Sequence, residues 1–121
     1  MAIRMKVECV GEMGNTELHV AAQIGAQAIV HRLISSGENI SAQNSKGVTP
    51  LHNSIIHGHT SITEELLMEG AHINVRDANG NAPLHEACKR KRYEEVKLLL
   101  SLGADITLTN NSMRTPLLIA Y

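Results

Sequence analysis

The feature that most constrains this chain is a period. Gly-Asn-Thr-Glu-Leu-His at 14–19 returns as Gly-Val-Thr-Pro-Leu-His at 47–52, as Gly-Asn-Ala-Pro-Leu-His at 80–85, and as Met-Arg-Thr-Pro-Leu-Leu at 113–118. Each copy begins 33 residues after the one before. A second marker keeps the same phase: Gly-Glu-Asn-Ile at 37–40, Gly-Ala-His-Ile at 70–73 and Gly-Ala-Asp-Ile at 103–106. Two markers in phase over three periods define a repeat. A unit of this size cannot bury its apolar face alone, so copies must stack into a quasi-one-dimensional array.

Each period has a local logic. Thr16, Thr49 and Thr115 can cap a helix N-terminus, and Pro50, Pro83 and Pro116 fall at the first helical position, where a missing N–H costs nothing. The first helix should stop near Gly25 or Gly58, residues that accept a left-handed backbone. A second helix carries apolar residues at helical spacing: Ile29, Val30, Leu33 and Ile34, then Ile62, Leu66 and Leu67, then Val96, Leu99 and Leu100. Gly37, Gly70 and Gly103 end these helices, and an extended stretch closing in a turn leads to the next copy.

Composition narrows what such an array can do. With 121 residues there is room for one domain or a short array. Aromatic residues are only 2% of the chain, so the core must be aliphatic, which suits apposed helices. Tyr93 and Tyr121 are too few for a base-stacking platform, and a net charge of -1 excludes a globally basic nucleic-acid binder. Cys9 and Cys88 read as free thiols of an intracellular protein, cytoplasmic or nuclear. No apolar run approaches a membrane span, and the N-terminus lacks a signal peptide's apolar core.

The motif Thr49-Pro50-Leu51-His52, with Gly58-His59, Gly70-Ala71, Ile73-Asn74 and Asp77, resembles the ankyrin repeat family over nearly the whole chain. The resemblance implies an all-α repeat solenoid of stacked helix-turn-helix units with protruding β-hairpin fingers. It divides the chain into a finger remnant of a preceding repeat or N-terminal cap at 1–13, repeats at 14–46, 47–79 and 80–112, and a truncated fourth at 113–121. It also implies a concave face built from fingers and first helices. Carried onto this sequence, that face comprises Lys46, Val48, Ile56, His57, Asn79, Asn81, Lys89, Arg90 and Arg114, with Glu12, Asn15, Gln23 and Ile24 toward the N-terminus.

One stretch asks for its own account: the four consecutive basic residues Lys89, Arg90, Lys91 and Arg92. In register they straddle the turn between two helices. The readings are a solvated basic surface, part of a protein-binding groove, a nuclear-import signal, and a nucleic-acid contact, in falling order. Lys91 takes the place of Gly25 and Gly58, and Ala82 replaces the capping threonine, each departure costing about 1 kcal/mol. Glu86 can pair with Lys89 or Arg90 and weaken the local field.

Chemistry is less visible. His52, His57 and His59 could suggest a metal, but His19, His52 and His85 recur once per repeat, which fits a structural hydrogen bond better than a ligand set. Glu64-Glu65 and Glu94-Glu95 read as solvated helix starts, and Cys88, in register with Ala22 and Ile55, as a packed small residue. No catalytic site and no cofactor site is expected. The leading expectation is a non-enzymatic module that binds another protein, acidic or amphipathic, in its concave groove. The rival is a targeting or regulatory segment of a larger enzyme. The chain is expected to be a piece of a longer array, or to truncate its own last repeat. It should be a monomer, with self-association open to it through Leu117, Leu118 and Ile119.

Overall fold

The computed structural model describes residues 13–117. Among these residues six helices follow one another: α1 (Glu17–Ile24), α2 (Gln27–Ser35), α3 (Pro50–Ile56), α4 (Thr60–Met68), α5 (Pro83–Lys89) and α6 (Tyr93–Ser101). They form three antiparallel pairs. The first helices α1, α3 and α5 stack in one layer, and the second helices α2, α4 and α6 stack in another. The core runs between the layers through Leu18, Leu51 and Leu84 on one side and Val30, Leu33, Ile62, Leu66 and Leu99 on the other.

Capping explains where the first helices begin. The Thr16 hydroxyl accepts from the His19 N–H at 3.3 Å, and His19 Nδ1 accepts from the Thr16 N–H at 3.0 Å. Thr49 and His52 repeat the pair at 3.3 and 3.2 Å. In the third repeat only half survives: His85 Nδ1 accepts from the Ala82 N–H at 2.9 Å, and alanine has no oxygen to return. Pro50 and Pro83 occupy the first helical position, as expected.

The first helices end through a left-handed residue, with φ +82° at Gly25, +75° at Gly58 and +58° at Lys91. Lys91 therefore does adopt the strained conformation that glycine adopts freely. The second helices close with paired bonds: Glu38 N–H to the Leu33 carbonyl, Ala71 to Leu66, and Ala104 to Leu99, at 3.2, 3.0 and 3.0 Å.

The fingers differ from the β-hairpins that the resemblance implied. Among the described residues there is no strand; each finger is a turn closed by two backbone bonds, such as Asn44 N–H to Val48 and Gly47 N–H to Asn44, and by one side chain. Asn44 Oδ1 accepts from the Lys46 and Val48 N–H groups at 2.9 and 3.0 Å. Asp77 does the same for Asn79 and Asn81, and Asn110 for Ser112 and Arg114. Single backbone bonds tie neighbouring tips: Ser45 N–H to Met13, Ala78 to Lys46 and Asn111 to Asn79, at 2.7, 2.8 and 2.9 Å. The tips approach so closely that a Cβ on Gly80 would stand 2.7 Å from the Asn111 nitrogen. At the equivalent place in the last finger stands Met113, with φ +64°.

Candidate binding face

Four of the nine residues assigned to the concave face, Asn79, Asn81, Lys89 and Arg114, line a single concavity of about 440 Å³. Asn110, Asn111 and Ser112 of the last finger complete it. None of its lining residues is acidic. Lys89 projects from the end of α5 and Arg114 from the finger beyond it, and among the described residues neither side chain has an ion-pair partner. Lys46, Val48 and Ile56 hold the equivalent register one repeat earlier, Val48 and Ile56 half-buried and Lys46 exposed. His57 and Arg90 lie outside the concavity, at the C-caps of α3 and α5. Partial burial first, and then the charges of His59, Arg90 and Arg92, hold the His57 imidazole below its ordinary pKa.

The basic run separates into four different environments. Lys89 faces the concavity. Arg90 Nε donates to Glu86 Oε1 at 3.2 Å, so this pair withdraws one cation from the surface. Lys91 is the left-handed residue at the helix end. Arg92 reaches back into the preceding repeat, where Nε donates to the Ile55 carbonyl at 3.1 Å and Nη2 to the Ile56 carbonyl at 2.8 Å. Those carbonyls belong to the last turn of α3, where a cation is favoured by the unsatisfied backbone oxygens. His59 makes the corresponding reach one repeat earlier, its Nε2 lying 3.0 Å from the Gln23 carbonyl. The sequence already aligned Arg92 with His59, and that shared register of hydrogen-bond donors was the signal for this role.

The histidines of the turn motif bridge repeats. Nε2 of His19, His52 and His85 lies 2.7, 2.9 and 3.0 Å from the carbonyls of Val48, Asn81 and Arg114. With Nδ1 accepting a backbone N–H, each ring is the neutral tautomer with its proton on Nε2. Burial lowers the pKa of His19 and of His52, which suits that state. His52, His57 and His59 thus point to three different tasks, and among the described residues no three His, Cys, Asp or Glu side chains converge as metal ligands would.

Several expectations about burial need correction. Glu95 is not a solvated helix start: it is 2% exposed, and its Oε2 accepts from the Thr60 hydroxyl at 2.8 Å across the repeat boundary. Glu65 likewise takes bonds from Gln27 and from His31, at 3.2 and 2.8 Å. Glu95 shares its register with Ile29 and Ile62, one of them fully buried, and that alignment was the missed signal. Leu100, read as core, is 48% exposed, and Cys88 is half-buried where Ala22 and Ile55 are fully enclosed. Both line an apolar hollow of about 380 Å³ with Leu84, Val96, Ile106 and Leu117, because no further helix pair covers them among the described residues. There, burial raises the Cys88 thiol pKa.

Glu12, Cys9 and all of the proposed finger remnant at 1–13 except Met13 lie outside the described residues, as do Leu118 and Ile119. Among the described residues no helix is long and apolar enough to cross a membrane.

Stacked helix pairs joined by turn-capped fingers define a helical repeat protein. The family model for ankyrin repeats matches residues 18–110 in three copies, and the chain belongs to that family. No curated protein matches it. Ankyrin repeats generally mediate protein–protein interaction and are typically non-catalytic.

Proposed function

We propose that this chain is a non-enzymatic binding module that holds another protein against its concave face, through an acidic or amphipathic segment. The observation that carries this reading is the concavity around Lys89 and Arg114: two cations without ion-pair partners among the described residues, beside asparagine side chains and no acid. Lys46, Val48 and Ile56 extend the surface toward the N-terminus, and His57 and Arg90 flank it. Complementary charge at such a face sets orientation and association rate, and it weakens with salt.

Capture from lysate at low and moderate salt tests the reading with three proteins: the chain, a Lys89→Glu/Arg114→Glu variant, and Lys97→Glu. Lys97 is exposed on α6, outside the lining of the concavity and 4.0 Å from Glu94 of its own helix, and so serves as a control for charge changed elsewhere on the surface. A partner held by the chain and by Lys97→Glu but released by the double variant supports the groove. Equal capture by all three would remove the groove from consideration.

A further inference from the structure

The finger at 77–81 holds an amide that the chain can remove by its own chemistry. Asn79-Gly80 is the only Asn-Gly pair in the sequence, and it forms the tip of the turn closed by Asp77. Asn79 is exposed and lines the concavity with Lys89 and Arg114. Every other asparagine among the described residues has its side chain in a hydrogen bond. Asn44 and Asn111, each followed by a serine, donate theirs to Asn15 Oδ1 and to the Ala78 carbonyl, both at 2.8 Å. The Asn79 side chain has no partner among the described residues, so nothing holds it from turning toward the next nitrogen along the chain.

We propose that Asn79 is a site of spontaneous, irreversible modification that puts a carboxylate into the concavity. The Gly80 nitrogen bonds to the Asn79 side-chain carbonyl carbon, that carbon's bond to its amide nitrogen breaks, and ammonia leaves carrying the proton that Gly80 gives up. Glycine allows the approach because no side chain shields its nitrogen. Water then opens the cyclic imide at one carbonyl or the other. The product is aspartate, or isoaspartate with the main chain routed through the former side chain. The fold slows the first step without forbidding it. The Gly80 N–H must leave the Asp77 carbonyl, 2.8 Å away, and opening of an exposed tip lies at the low end of local unfolding costs. Either product supplies the first acid of a lining that has none. Isoaspartate does more: the Asn79 carbonyl accepts from the Asn111 N–H at 2.9 Å, and an added main-chain methylene cannot keep both bonds. The loss of binding that follows for an acidic partner rests on the groove reading above; the modification itself does not.

Two measurements separate modification from consequence. The folded chain is kept for days in mildly alkaline buffer beside Asn79→Gln, and both are followed by ion exchange and by peptide mass mapping. The expected result is a growing acidic species whose added mass and isoaspartate fall on the peptide holding 79–80. Asn79→Gln should lack it, because the longer side chain closes its ring far more slowly. Acidification at the same rate in Asn79→Gln, conversion mapped first to another asparagine, or a chain that stays unconverted overturns the proposal. Fresh Asn79→Asp is then compared with Asn39→Asp for binding of a polyglutamate peptide at low salt. The two variants carry the same net charge, and Asn39 is exposed and outside the lining of the concavity. Asn79→Asp should bind about threefold more weakly, the size of one exposed charge interaction. Equal binding by the two overturns the effect on the groove. A parent chain that ignores the peptide removes that effect together with the groove reading, while the mass measurement still judges Asn79.

Discussion

The second and third repeats share a backbone and differ in what holds it. In the second, Thr49 closes its cap in both directions, Gly58 takes the left-handed position without strain, and a buried Ser54–Thr63 hydroxyl pair at 2.7 Å joins α3 to α4. In the third, Ala82 leaves the cap half made and Lys91 bears a positive φ. Yet the third repeat supplies two ties to its neighbour: Arg92 on the carbonyls ending α3, and Glu95 on Thr60. The losses are local and the compensations lie across the boundary. In a quasi-one-dimensional array stability is the sum of unit and interface terms, so a weak unit can persist on a strong interface.

Removing that interface should have the largest effect. Arg92→Ala deletes two hydrogen bonds from a charged donor to a helix end, and we expect a loss of about 2 kcal/mol. A urea midpoint unchanged from the parent would show that the third repeat stands on its own. The seat is exacting as well as strong. A Cβ on Gly58 would approach the Arg92 guanidinium to 3.1 Å, so glycine there serves both the φ of the turn and the neighbour's side chain.

Repairing the weak unit should have a smaller effect of opposite sign. Ala82 is as buried as Thr49 at the same register, and His85 already sits as His52 does. Ala82→Thr should therefore complete the reciprocal cap and stabilise by about 1 kcal/mol. Thr49→Ala should cost a similar amount, turning the second repeat into a copy of the third at that point. If Ala82→Thr destabilises, the third repeat has repacked around its alanine, and the comparison fails at the cap.

The same contrast shows how far the sequence could be read. Period, helix starts and helix ends were all visible, because Thr, Pro and Gly act on their own backbone and each recurred in register. Lys91 at a glycine position was visible for the same reason. Arg92 and Glu95 were not, although each had an informative register partner. Their roles depend on a neighbour one repeat away, and a local reading of charge made one a surface cation and the other a solvated acid. The fingers failed in the other direction. The resemblance implied β-hairpins, but among the described residues a single backbone bond joins each pair of tips, and Asn44, Asp77 and Asn110 close the turns through both side chain and backbone.

Acid should weaken both boundaries, and by the least amount. His19 at the first boundary and His52 at the second each accept a backbone N–H on Nδ1, so a proton added there would oppose a donor. Burial lowers both pKa values in the fold; at His52 the Asp77 and Glu86 carboxylates and the Asn81 carbonyl resist, and His85 adds to the lowering. The unfolded chain, with imidazoles near 6.5, therefore takes up protons first. Stability is complete above that value and declines as pH falls through it toward the folded pKa. Both boundaries feel this equally in kind. The second ties are also alike in kind: the His59 imidazole on Gln23 and the Arg92 guanidinium on Ile55 and Ile56 each donate to backbone carbonyls. Backbone hydrogen exchange measured at about pH 7.5 and about pH 5.5, corrected for intrinsic rates, should show protection falling in both α1 and α3, the helices that carry His19 and His52. Protection unchanged in both helices would show that the buried rings of His19 and His52 do not set the response to acid.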